Sequence, residues 1–207
     1  MVKQFFVTGI GTEVGKTLAS AILVKALQAE YWKPVQCGDL DNTDTHKIQR
    51  WAQHPSLRCH PERYALQMPA SPHKAAAAEG VDIQLQDFAL PPTDGPLIVE
   101  GAGGLLVPLN HRDTIADLIH QLGLPVILVS RHYLGSINHS LLSLAYLRER
   151  QIPLHGILFS GEPNESTEDV ILQMTNAPCL GRIGEIEEVN ADSVQYWAEQ
   201  LAPNFRK

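Results

Sequence analysis

Long apolar runs are missing from these 207 residues. None approaches the roughly 20 residues that a membrane-crossing helix needs, so no span is expected. Basic residues are in the minority, 16 Lys and Arg against 23 Asp and Glu, for a formal net charge of −7. A surface with that balance argues against nucleic acid or a membrane as the main partner. Cysteine is scarce: Cys37, Cys59 and Cys179 are widely spaced and odd in number. No disulfide framework is expected from them, and they suit a reducing cytoplasm. The first residues lack the basic-plus-apolar start of a secretory leader. There is no internal repeat and no low-complexity tract. What remains, 44% apolar and 19% charged, is the make-up of a globular protein, expected as one α/β domain over 1–207.

Against that background the stretch Gly9-Ile10-Gly11-Thr12-Glu13-Val14-Gly15-Lys16-Thr17 stands out. It follows an apolar run, Gln4 to Thr8, and opens a helical pattern, Leu18 to Leu27. Strand, glycine-rich loop, Gly-Lys-Thr, helix is the order a phosphate cradle requires. Loop N–H groups converge on phosphate oxygens at the positive end of a helix. Lys16 can reach the terminal phosphates and the Thr17 hydroxyl can ligate Mg²⁺. A strict G-x-x-x-x-G-K-[ST] template would begin at position 10, where Ile10 stands between Gly9 and Gly11. The loop is a variant of the template, and a nucleotide site is the reading it supports.

Strand and helix patterns alternate along the rest of the chain. Strands are expected at 31–38, 96–100, 125–130, 154–160 and 178–183, and helices at about 42–51, 72–80, 114–122, 135–150, 167–175 and 192–201. The proline-rich stretch 53–72 reads as a long irregular connection, and Gly101 to Gly104 as a loop after a buried strand. Such alternation implies an α/β, P-loop NTPase-like fold: a mainly parallel sheet with helices on both faces. Ligands then gather at the carboxyl ends of the strands.

Those ends carry the candidates for chemistry. Glu100 closes its strand where an acid can join Thr17 at Mg²⁺, or simply meets solvent. Asp44 is either a second carboxylate for the metal or a helix cap. Lys33, before Pro34, is either surface or a charge partner for a transferring phosphoryl group. Cys37 has no activating base in view and reads as a packing or binding residue. His54, Cys59 and His60 match no common zinc spacing. Glu185 to Glu188 reads as a solvated loop, and the leucines at 141–147 as core, the chain's own or shared with a partner subunit.

Taken together, Val-Thr-Gly-x-x-Thr-Glu-Val-Gly-Lys-Thr (7–17), Lys-Pro-Val (33–35), Asn-Thr-Asp (42–44), Ser-Pro-His (71–73), Val-Glu-Gly-Ala-Gly-Gly (99–104), Leu-Pro-Val-Ile-Leu-Val (124–129) and Leu-Gly-Ser-Ile-Asn-His (134–139) resemble the dethiobiotin synthetases. The resemblance runs along most of the chain. It implies an ATP- and Mg²⁺-dependent ligase that takes up CO₂ or bicarbonate on 7,8-diaminopelargonate as a carbamate. The carbamate oxygen then attacks the γ-phosphate, and the second amine closes a ureido ring with loss of phosphate. Carried over by position, Lys16 and Lys33 stabilise the carbamate and the transferring phosphate, and Thr17, Asp44 and Glu100 hold Mg²⁺. Glu13, Val14, Gly15, Leu18, Gly101, Ala102 and Gly103 serve the nucleotide. Thr12 and Cys37 contact carbamate or diamine. Gly135, Ser136, Ile137 and Asn138 bind the substrate carboxylate from the neighbouring subunit of a homodimer, in keeping with anion binding at a helix start.

The chain departs from the family pattern at three sites and in its 33–44 connection, which is shorter than in some relatives. Cys37 replaces a serine, and a thiol is the weaker hydrogen-bonding group. Ser160-Gly161 replace an Asn-Asp pair that reads adenine, so the base is read loosely or elsewhere. Gly184 stands where relatives often carry proline. Two rival classes share the loop: partition or cell-division ATPase switches, and amide-forming synthetases of cofactor biosynthesis. The switches carry a lysine where this chain has Gly11, and often add a basic amphipathic helix that is not seen here. Lys33-Pro34-Val35 together with Leu134 to His139 weighs against the second class. A degenerate, non-catalytic binder is a third reading, opposed by intact Lys16, Thr17, Lys33 and Glu100.

Overall fold

Residues 3–205 are described by a computed structural model. The strands are β1 Gln4–Gly9, β2 Glu30–Trp32, β3 Val35–Cys37, β4 Cys59–His60, β5 Tyr64–Leu66, β6 Leu97–Gly104, β7 Val126–Arg131, β8 Leu154–Ser160 and β9 Cys179–Ile183. The helices are α1 Lys16–Leu27, α2 Asp44–Trp51, α3 Pro72–Glu79, α4 Ile115–Leu122, α5 Ser136–Glu149, α6 Glu165–Thr175 and α7 Ala191–Leu201. Seven strands form one sheet in the order β4-β2-β6-β1-β7-β8-β9. Every ladder in it is parallel. Helix α1 packs with α2 and α7, and α5 packs with α6.

Central strands β1, β6, β7 and β8 are near-continuous apolar runs because both faces of the sheet are covered. Phe6, Val7, Ile98, Val99, Leu128, Val129, Leu158 and Phe159 are fully buried along them. Helix boundaries follow ordinary capping chemistry. Thr43 accepts from the His46 N–H at 3.1 Å and starts α2, and Gly80 and Gly123 close α3 and α4 in left-handed conformations.

Three expectations need correction. The single strand expected over 31–38 is two, β2 and β3, separated by Lys33-Pro34. Proline has no N–H for the ladder, so the chain leaves the main sheet there. Strand β3 pairs instead with β5 in a separate two-stranded sheet. The stretch 53–72 is therefore not irregular throughout: β4 extends the main sheet at its edge and β5 pairs with β3. Gly101 to Gly104 is not a loop, because β6 runs on to Gly104. Its register against β1 shifts between Val7 and Gly9: Val7 pairs with Glu100, and Gly9 with Gly104.

Candidate active site

A cleft of about 840 Å³ lies at the carboxyl ends of the strands. The loop from Gly9 to Lys16 forms one wall and turns directly into α1. Gly15 precedes the helix with φ 89°, a left-handed conformation that only glycine adopts without strain. A Cβ at that position would also meet the Ser160 Oγ at 3.0 Å. Lys16 lies folded over the loop, its Nζ donating to the Gly11 carbonyl at 2.8 Å. Burial lowers its pKa to about 8, with Glu100 opposing that shift.

Glu100 is the hub of the opposite wall. Its carboxylate is fully buried in the side-chain sense and accepts three hydrogen bonds. Thr17 Oγ1 donates to Oε1 at 2.9 Å, Lys33 Nζ to the same oxygen at 3.2 Å, and the Tyr31 hydroxyl to Oε2 at 2.9 Å. Lys33 also pairs with Asp44 Oδ2 at 2.5 Å. An ammonium thus bridges two carboxylates in a nearly closed site. Burial pulls the Lys33 pKa down, but Glu100 and Asp44 outweigh it and hold it above its ordinary value. Burial pushes Asp44 up, yet Lys33 and Lys47 prevail and hold it at about 2. Tyr31 is kept a neutral phenol, first by burial and then by Glu100, well above the ordinary tyrosine range.

Asp44 is not the helix cap. It opens α2 behind the Thr43 cap, and it faces the cleft. The Gln36 amide ties it there: Oε1 accepts from the Asp44 N–H at 3.4 Å while Nε2 donates to the Gly38 carbonyl at 2.9 Å. Lys33 is buried, so the surface alternative for it falls away. The Cys37 thiol lines the cleft, and burial raises its pKa to about 11, which keeps it un-ionised near neutral pH.

Thr12, Glu13, Gly15, Lys16, Thr17, Leu18, Lys33, Cys37, Asp44, Glu100, Ala102 and Gly103 all line this cleft. Other candidates lie outside that lining. Val14 is buried in the core. Gly101 packs on the Phe6 ring, where a Cβ would approach to 2.8 Å. Ser160 is buried against the phosphate loop, Gly161 faces Glu185, and Gly184 lies on Trp197. Gly135, Ile137 and Asn138 are exposed at the start of α5, with Ser136 buried between them. His60 pairs with Glu30 at 2.5 Å, and no group of three or more His, Cys, Asp or Glu side chains placed to hold a metal occurs among the described residues.

The lining also holds Gln36, Lys47, Trp51, Pro69, Ala70 and Arg131, which the sequence patterns do not single out, and Ser71 and Pro72. Arg131 ends β7 and pairs with Glu185 at 3.4 Å. Ser71-Pro72 belongs to a shared motif, which was the available signal for them. Tyr31 and Gln36 carry none, because nothing in strand periodicity marks a buried hydroxyl as the partner of a distant carboxylate, or a buried amide as the partner of backbone groups.

The donor set suits a hard divalent cation, since the Thr17 hydroxyl and the Asp44 and Glu100 carboxylates are oxygen ligands drawn around one positive charge, the Lys33 ammonium. Helix start, glycine loop, lysine and acid define a nucleotide-binding α/β protein of the P-loop class. Solved structures agree on the fold. A plasmid partition protein of Borrelia burgdorferi superposes with a TM-score of 0.62 at 13% identity, covering 99% of this chain and 98% of that one. The septum site-determining protein MinD of Pyrococcus horikoshii gives 0.60 at 12%, covering 97% and 96%. At such identity the likeness concerns the fold alone.

Sequence similarity is more specific. A family model described as an AAA domain matches residues 3–193. The ATP-dependent dethiobiotin synthetase BioD of Christiangramia forsetii is 47% identical over 100% of this chain and 98% of its own length. That of Cytophaga hutchinsonii is 48% identical over 98% of each. The chain belongs to the ATP-dependent dethiobiotin synthetase family.

Proposed function

We infer that this chain is an ATP-dependent dethiobiotin synthetase acting on 7,8-diaminopelargonate and CO₂, as a homodimer in the cytoplasm, with 1–207 as one functional domain. The observation that carries the residue roles is the Lys33 bridge between Asp44 and Glu100, one hydrogen bond from Thr17 at the start of α1. Full-length family membership supports the substrate class, and the charged side chains of the cleft support the residue roles.

One amine of the diamine adds to CO₂ and loses a proton, giving a carbamate. Its oxygen attacks the γ-phosphorus of ATP, and ADP leaves. The second amine then attacks the carbamoyl carbon of the mixed anhydride, closing the ureido ring and expelling phosphate. Each of these steps gathers negative charge on oxygens. Lys16, at the mouth of the loop, stands on the phosphate side. Lys33, across the cleft, stands between phosphate and carbamate; fixed cations of this kind act where charge develops in the transition state. Thr17, Asp44 and Glu100 would hold Mg²⁺, which neutralises phosphate charge when bound. Thr12 and Cys37 border the carbamate and diamine. The base lies toward Ser160, Gly161 and Gly184. Gly135, Ser136, Ile137 and Asn138 hold the substrate carboxylate of the neighbouring subunit, which suits the exposure of Gly135, Ile137 and Asn138 at a helix start.

Purified protein supplied with ATP, Mg²⁺ and bicarbonate should release phosphate only when the diamine is added. Diamine-independent hydrolysis at the full rate would sink the ligase reading and favour an ATPase switch. Lys33→Met should lower turnover by about 10²-fold or more while ADP still binds, as expected for a lost electrostatic stabiliser. Turnover within a few-fold of wild type would remove Lys33 from the mechanism.

A further inference from the structure

Glu100 presents its two oxygens to different surroundings. Oε1 faces the cleft, with Thr17 Oγ1 at 2.9 Å and Lys33 Nζ at 3.2 Å. Oε2 faces the core and accepts from the Tyr31 hydroxyl at 2.9 Å. Tyr31 is fully buried. Its backbone is pinned from both sides, paired with Cys59 of β4 and Ile98 of β6. The hydroxyl therefore has little freedom to follow if the carboxylate turns.

We propose that Tyr31 is a positioning residue that locks Glu100 in a one-oxygen presentation and thereby favours Mg²⁺ over larger divalent ions. The inference rests on the metal role given above to Thr17, Asp44 and Glu100. Mg²⁺ demands near-octahedral geometry and takes one oxygen per carboxylate, whereas Ca²⁺ accepts flexible geometry and both oxygens of one group. With Oε2 engaged by Tyr31, Glu100 offers the cleft only Oε1. Without that hydroxyl the carboxylate can rotate to offer both.

The test is a pair of titrations, Mg²⁺ and Ca²⁺, on protein saturated with ADP, followed by calorimetry and by the shift in Tm. In Tyr31→Phe, which keeps the buried ring, the Mg²⁺ half-saturation should rise about ten-fold, as for other outer-shell losses. Ca²⁺ should weaken less, so the ratio of the two constants falls. Tyr31→Leu, a second variant without the hydroxyl, should move the ratio the same way. A residue that serves only packing would lower the Tm and leave the ratio unchanged, and that result in both variants overturns the proposal. Glu100→Gln is run beside them. If it titrates like wild type, the metal role itself fails and takes this inference with it. If it is impaired while both Tyr31 variants keep the wild-type ratio, the inference alone fails.

Discussion

Asp44 shows how much one residue carries at this site. Its carboxylate is held at about 2, against an ordinary 3.8, because Lys33 and Lys47 outweigh its burial. A carboxylate with a depressed folded pKa contributes stability above its unfolded pKa and loses it as pH falls toward the folded one. The window here is pH 4 down to 2, and a shift of this size corresponds to about 2 kcal/mol. Chemical unfolding of the wild type at pH 6, 4 and 3 should therefore show a falling midpoint, and Asp44→Asn should flatten that fall. An identical slope in the variant would show that the Lys33 pairing contributes nothing to folding. The same bridge explains why Lys33 cannot be read as surface. A buried ammonium stripped of one partner costs about 3–5 kcal/mol, so the three side chains stand or fall together. None of this was legible in the residues one at a time. Lys33 follows β2, Asp44 starts α2 and Glu100 lies in β6 far along the chain, and the parallel pairing of β2 with β6 brings Glu100 to the other two.

At the scale of elements, β6 decides the shape of the cleft. It continues through Gly101 to Gly104 as a strand, although a glycine run reads as a loop in sequence, because the backbone ladder with β1 holds it without side chains. The end of that run must stay bare. A Cβ on Gly104 would come to 3.2 Å from the Gly9 carbonyl and 3.6 Å from the Gly11 nitrogen, both backbone atoms of the phosphate loop. Gly104→Ala should push the loop by a few tenths of an ångström and weaken ADP binding about ten-fold, a loss of ~1.4 kcal/mol. Gly95→Ala, where the nearest atom would be Thr93 Oγ1 at 3.7 Å, is the matched control and should bind like wild type. Equal affinities for the two variants would mean that the loop tolerates the crowding. The phosphate loop and long elements such as α1, α4 and β7 were readable in advance because turn chemistry and apolar periodicity extend over enough residues to be unambiguous. The pieces that escaped are two or three residues long: β3, β4 and β5. A strand that short has no period to detect, and its pairing is set by partners distant in the chain. Proline at 34 signalled a break; where the chain went next was a tertiary matter.

For the whole molecule the open question is what covers the face beside the cleft. A groove of about 400 Å³ runs there between the loop (Ile10, Gly11, Thr12), the segment after β6 (Leu105, Leu106) and one side of α5 (Leu142, Tyr146). Leu106 and Leu142 are 59% and 61% exposed, and Leu134, in the turn before α5, is wholly so. Apolar side chains gathered on one exposed face mark an interaction site more often than a solvated surface. The groove reaches Thr12, so an occupant would stand next to the reacting groups. A second copy docking here with its own α5 would bring the exposed helix start, Gly135 to Asn138, toward the first copy's cleft. A two-fold arrangement makes that exchange reciprocal, so both sites would be completed at once. The prediction is a dimer by sedimentation equilibrium at micromolar concentration, and monomers for Leu106→Glu/Leu142→Glu, since both charges would be desolvated at the contact. If the partner's helix start holds the substrate carboxylate, the double variant should raise the KM for the diamine about ten-fold or more while ADP affinity, set within one chain by Lys16 and its loop, stays put. A wild type that sediments as a monomer, or a monomeric variant with unchanged KM, would place the whole site within a single chain.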